Sequence, residues 1–425
     1  MPIITVFYIK LLLSAVLTSA ILWSLWKAEY FEKWQAQHDS LAFAAGFLLF
    51  RLLPWIAIFI ILDFDPRGDV PFFFYKAEHA KAGGFVYRDF WSYHAPLYPY
   101  IISLPLWLWH NPRAIVLLMV LMETLILWFT YRTYKPAKKN ALQLAFLYWL
   151  LPASFMYIMI DGQEEIWFWG IGLLMWRYLM KHREDYETGL GLLFALALVT
   201  LKVTFIFLLP AILLVVRRPV KMLLAMAAVG IPVVGFMYYR IGDLFLMPIR
   251  HTEQLMTPNL FSITRPFIEW FVHIDSTNST MVNWIGLLFT VLLPCLAAWK
   301  SRTRHLSLTF PGLFILSYCG MMVFQASAPG AYIIAFIILV VFQLVDVNEW
   351  KDIFVITLLG WLTVVQPFVN VYIGQPDYLS FGMFGEPKHL LDITLQILNV
   401  LCFVWIIVKA WNDVVTPKTA PVRWT

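Results

Sequence analysis

The chain has 425 residues, of which 61% are hydrophobic and only 13% charged, with a formal net charge of +5. Soluble domains carry roughly 25% charged residues, so this composition excludes a water-soluble protein. The basic residues fall in short clusters between apolar runs, which points to a lipid bilayer as partner and not to nucleic acid.

Runs of about 20 apolar residues, each long enough to cross a ~30 Å hydrocarbon core, recur from end to end. The candidate spans are 3–26, 41–62, 112–131, 140–160, 165–180, 188–202, 203–216, 222–242, 279–298, 306–324, 331–346, 352–371 and 389–411. The expectation is an all-α polytopic membrane protein with 11–13 spans in one transmembrane domain, residues 1–425. The first run, Ile3 to Trp26, lacks a basic leading region and a small-residue cleavage site, so it reads as a retained helix. Segments 188–202 and 203–216 are too short to cross singly and suggest a hairpin turning near Lys202 inside the protein. Cys295, Cys319 and Cys402 stand alone in apolar runs, as buried structural thiols do.

Orientation follows from the loops. Arg132, Lys135, Lys138 and Lys139 share one side with Lys181, Arg183, Arg217, Arg218, Lys221, Lys300, Arg302 and Arg304. The positive-inside bias makes that side cytoplasmic. The outer side then holds the loop 63–110, the segment Asp161–Glu165 and the long loop 243–278.

The loop from Gly68 to Tyr100 carries eleven aromatic side chains among eight charged or His residues, too many for an ordinary polar connection. It reads as lying at the membrane interface. Three polar groups share its side. Asp63, Asp65 and Asp69 follow the second span, where Asp63 or Asp65 would serve to end the helix before Pro66. In Asp161-Gly162-Gln163-Glu164-Glu165, Asp161 and Glu164 have the spacing of a capping box, which leaves Gln163 to bind a sugar hydroxyl. Lys202, Arg250, His251 and Arg265 are cations against the charge bias, and phosphate binding is one reason for them. His79, His94, His110 and His251 lack the paired helical spacing of a metal site. No cofactor is expected, and a divalent metal is possible but not required.

The ordered set GDVPFFFYKAEHAKAGG, VYRDFWSYHAPLYPYI, DGQEEIWFWGIGLLMW and TGLGLLFALALVTLKVTFIFLLPAILLVVRRP resembles the GT-C membrane glycosyltransferases that use polyprenyl-phosphate sugars, closest to glycosyltransferase family 87. The resemblance covers residues 45 to 220, and beyond them only the span pattern is similar. It implies a catalytic aspartate in the first outer loop, the position of Asp69, and interfacial helices near 71–82 and 96–109. The Gly162-Gln163 pair and Lys202 match recurring features of that family. The site it implies places Lys202, Arg265, Arg250 and His251 at the donor phosphate. Gln163, His94, Tyr93 and Arg88 would contact sugar or acceptor. Two departures stand out: the helix before the usual first span, and Val70 where some branches have a second carboxylate after the aspartate.

The implied activity is transfer of one sugar, mannose or another, from a polyprenyl-phosphate donor to a lipid-linked or cell-envelope glycan acceptor. It would take place on the outer face of a bacterial plasma membrane. The chemistry agrees, since a lipid phosphate leaves as an anion and the enzyme needs one base and a cation. The competing expectations are a transporter or flippase of lipid-linked glycans and an O-antigen ligase or polymerase-like enzyme. Against the former, the polar residues gather toward one face instead of the bilayer midplane.

Overall fold

The computed structural model describes residues 3–250, 255–275 and 279–416. Its elements are helical throughout, with no strand among the described residues. Among the described residues eight helices are long and apolar enough to cross a bilayer, or nine when the bent pair Ala141–Leu150 and Pro152–Ile160 counts as one span. The protein is an all-α polytopic membrane protein. The larger expected number of spans included segments that fold into shorter helices. Ile166–Lys181 has 16 residues, Glu187–Thr200 has 14, and the stretch after Gly330 breaks into a 3-10 turn and the seven-residue Ile337–Gln343.

Helix Leu306–Phe324 forms the centre of the bundle, with 94% of its apolar window buried, while the N-terminal helix and Pro219–Leu246 are at the periphery with 17% buried. The N-terminal helix Ile3–Trp26 lies along Trp350–Tyr372. Phe7 stacks on Phe368 with ring centroids 3.7 Å apart, and the Trp361 indole donates to Thr18 Oγ1 at 2.9 Å. Its apolar residues show no strong sidedness, as expected for a helix bathed mainly in lipid.

The chain bends by 59° between Leu150 and Pro152, where proline cannot donate to the preceding turn. The freed backbone is not left bare. Arg51, fully buried on the span Asp39–Ile61, donates to the Trp149 carbonyl at 3.2 Å and to Ser154 Oγ at 3.0 Å. Glu123 of helix Pro112–Tyr134 neutralises it through two bonds of 2.6 and 2.8 Å. A forked, fully hydrogen-bonded pair is the form in which such charges survive in an apolar interior.

Between the spans, the two expected loop helices are present as Val70–Lys81 and as Tyr98–Ser103 continued by the turn Leu104–Trp107. The short segments Glu187–Thr200 and Val203–Val215 meet at an extended Lys202, as the hairpin reading requires.

Candidate functional site

Two glycines bring the loop and the segment after Ile160 together. Gly68 has φ +61°, and a Cβ there would lie 2.7 Å from the Asp161 Cβ; Gly162 has φ +63°, and its Cβ would meet Val70 Cγ2 at 2.4 Å. Both positions require the left-handed region and a backbone without a side chain. The consequence is that Asp69, exposed at the start of helix Val70–Lys81, receives a hydrogen bond of 2.9 Å from the buried Gln163 amide to its Oδ2. Its other oxygen is left to solvent or substrate.

Behind Asp69 lies a buried charge cluster. The Lys202 ammonium sits 2.6 Å from Glu164 Oε1 and 2.5 Å from Glu165 Oε1, both carboxylates being almost fully buried, and faces the Tyr332 ring at 4.8 Å. His94 Nε2 lies 2.7 Å from Glu164 Oε1, and its Nδ1 lies 3.5 Å from Lys76 Nζ. Lys76 can only donate, so the ring proton belongs on Nε2, where it donates to Glu164. Burial pushes His94 down to about 3, so the imidazole is neutral at pH 7. Burial alone would raise Glu164, but Lys202 and then His94 outweigh it and hold that carboxyl below the usual range. The expected capping box is therefore absent. Helix Ile166–Lys181 starts at Glu165 without a side-chain cap, because Glu164 is drawn to the stronger bonds offered by Lys202 and His94.

Lys76 is the residue that sequence reasoning missed. It is buried, no carboxylate among the described residues reaches ion-pair distance, and its ammonium faces Trp91 at 4.6 Å and Tyr93 at 5.8 Å. Burial lowers it to about 8. The signal was there: Val70, Phe73, Ala77 and Ala80 form the buried stripe of its helix, and Lys76 falls on that stripe. Asp69 acts electrostatically on Lys76 and on Glu165, which places it beside the cluster.

On the other side of Asp69 lies Asp161. Burial raises its carboxyl, Asp69 adds to this, and Lys10 and Arg67 work against it. An apolar cavity of about 410 Å³ adjoins the opposite side of the cluster. It is lined by Ala95, Pro96, Val199, Val203, Val234 and Met237, so its wall continues the chain from His94 and from Lys202.

Of the remaining expected site residues, Arg265 and Arg88 are not drawn into this cluster. Arg265 is bound by Glu269 at 3.3 Å, by Asp377 at 2.5 Å and by the Ile274 carbonyl at 3.1 Å. Arg88 pairs with its neighbour Asp89 at 2.8 Å on the surface. Asp63 and Asp65 both face Arg113, at 2.7 and 3.7 Å. His251 and the Arg250 side chain lie outside the described residues. Among the described residues no group of three or more His, Cys, Asp or Glu is arranged to hold a metal ion.

This is a polytopic helical membrane protein with one exposed carboxylate poised over buried charges at one end of its bundle. No family model, curated protein or solved structure matches the chain.

Proposed function

We propose that the protein is an inverting glycosyltransferase that moves one sugar from a polyprenyl phosphate to a hydroxyl of a lipid-linked or cell-envelope glycan, with Asp69 as general base. The observation that carries this reading is Asp69 itself: an accessible carboxylate held by Gln163, beside a buried charge cluster that an apolar cavity adjoins.

In this mechanism Asp69 takes the proton of the acceptor hydroxyl as its oxygen forms a bond to the anomeric carbon. The bond from that carbon to the donor phosphate oxygen breaks, and its electron pair leaves with the prenyl phosphate. Attack opposite the leaving group inverts the anomeric centre. Gln163 fixes one oxygen of Asp69 so that the other is aimed at the acceptor, which is the positioning such a step needs.

Lys202 already carries two carboxylates, and a third anion there would find no free charge. We assign the donor phosphate to Lys76, whose ammonium makes no ion pair among the described residues, with Trp91 and Tyr93 as the faces on which the sugar packs. The apolar cavity takes the first isoprene units, since its walls are largely aliphatic and the peripheral helix Pro219–Leu246 forms one of them. The loop charge bias supports an outer position for this end of the bundle.

Transfer of labelled sugar from defined polyprenyl-phosphate donors by the purified protein tests the reading. Asp69→Asn keeps the shape and removes the proton acceptor, so the rate should fall by roughly two decades or more while donor binding survives. Asp65→Asn, paired with Arg113 away from the cluster, should stay active. A folded, fully active Asp69→Asn protein would show that the chemistry lies elsewhere.

A further inference from the structure

The mechanism at Asp69 makes no use of residues 255–275, the latter part of the long loop. Their one regular element is the helix Leu260–Ile268. Asn259 starts it with a capping box: its Oδ1 accepts from the Ser262 amide at 2.8 Å, and Ser262 Oγ accepts from the Asn259 amide at 3.0 Å. Phe261, Ser262, Arg265 and Pro266 form its buried stripe, which faces the protein.

That stripe fixes the helix to the ends of two spans. Ser262 Oγ donates to Gln396 Oε1 of helix Pro387–Val415 at 2.8 Å. Ile268 and Val282, the latter on helix Ser279–Lys300, pack on a small core of Phe261, Ile274 and Ala326. Arg265 also donates to Asp377 at 2.5 Å, which ties in the loop 373–386. The next residue of that loop, Tyr378, donates to the buried Asp392 Oδ2 at 2.8 Å.

The other side of the two loops is aromatic and uncovered. Trp270 is 67% exposed and Phe271 74%, and Phe267 and Phe381 are exposed as well. Their rings form one surface: Phe267 lies 5.7 Å from Trp270 and 5.4 Å from Phe271, and Trp270 lies 5.3 Å from Phe381. An apolar patch of this kind marks a contact surface. What it meets follows from what it adjoins. Met281 and Trp284 are exposed on the first span that carries it, and Leu390 and Leu391 on the second, so both spans turn apolar sides to lipid next to the patch. Between Phe381 and Leu390 stands the exposed pair Glu386–Lys388 at 3.0 Å, the kind of charge that marks headgroup level. Aromatic rings gather at that level.

We propose that Phe267, Trp270, Phe271 and Phe381 form a lipid-docking face that seats both loops at the boundary between headgroups and acyl chains. The helix Leu260–Ile268 is then an interfacial anchor and not a cap standing in water. The face is remote in sequence from Asp69 and is independent of the transferase reading.

The test is nitroxide labelling of Phe271→Cys and Phe381→Cys in nanodiscs, with accessibility to molecular oxygen, which concentrates in hydrocarbon, compared with a polar nickel chelate, which stays in water. Cys319 and Cys402 are buried and Cys295 half-buried, so the unsubstituted protein gives the background. Leu401→Cys, exposed near the middle of helix Pro387–Val415, is the hydrocarbon reference, and Glu184→Cys, in an exposed charged loop, is the aqueous one. Both test sites should give an oxygen-to-nickel ratio above that at Glu184 and below that at Leu401. A ratio equal to that at Glu184 overturns the docking face. Shielding from both reagents overturns it too, because the surface is then covered by protein, either a partner or a second copy. A ratio equal to that at Leu401 overturns the headgroup depth.

Discussion

Replacing Lys202 by Met separates an organising lysine from a phosphate ligand. In the native protein its ammonium lies within 2.6 Å of two carboxylates that are each about 2% exposed. Removing it leaves two adjacent buried negative charges, with neutral His94 as the remaining donor to Glu164. Breaking a buried pair by deleting one partner costs about 3–5 kcal/mol. The size trend of unfolding entropy extrapolates to roughly 1–2 °C per kcal/mol for a chain this long, so Tm should fall by about 3–10 °C. Thermal unfolding in detergent or nanodiscs measures this directly. The triple variant Lys202→Met, Glu164→Gln, Glu165→Gln removes the stranded charges along with their counter-ion and should recover most of the loss. A Lys202→Met protein with wild-type Tm, or a triple variant no more stable than the single one, would refute the organising role. Wild-type Tm combined with a raised donor KM would return Lys202 to the phosphate.

Other outcomes follow from the same geometry. Lys76 is charged below its lowered value of about 8, so donor KM should hold steady up to that pH and then rise, by roughly tenfold per unit, as the ammonium loses its proton. Because its folded value is depressed, Lys76 favours folding above its unfolded value of 10.5, and that contribution is lost as pH falls through about 8. A Lys76→Met protein with the same alkaline profile would show that another group titrates. Gly162→Ala drives a Cβ to 2.4 Å from Val70 and should separate Gln163 from Asp69, lowering transfer roughly 10- to 100-fold; Gly235→Ala, with nothing within 4 Å, is the kinetic control.

The membrane architecture was legible because each span states itself locally, through 20 or so apolar residues and the charges that flank them. The hairpin at Lys202 was legible for the same reason: Glu187–Thr200 and Val203–Val215 are too short to cross alone. What a charge's position in sequence does not tell is whether the charge is already paired in space. Lys202 and Arg265 stood out because they break the charge bias, yet both are bound by carboxylates, Glu164 and Glu165 for one, Glu269 and Asp377 for the other. Glu164 and Glu165 lie 37 or more residues from Lys202 and Asp377 lies 112 residues from Arg265, so no local pattern announces them, whereas Glu269 stands four residues from Arg265 at ordinary helical pairing distance. Glu164 was misread as a helix cap because the capping-box spacing is local and Lys202 is not. Lys76 shows the reverse case. It interrupts an apolar face, and that interruption is visible in sequence without any knowledge of partners. In a membrane protein an unpaired cation on an apolar face is therefore a better guide to an anionic ligand than a cation in a loop. The loop cation has water and neighbouring acids to satisfy it, whereas the buried one is retained at a cost that only a ligand or a distant carboxylate offsets.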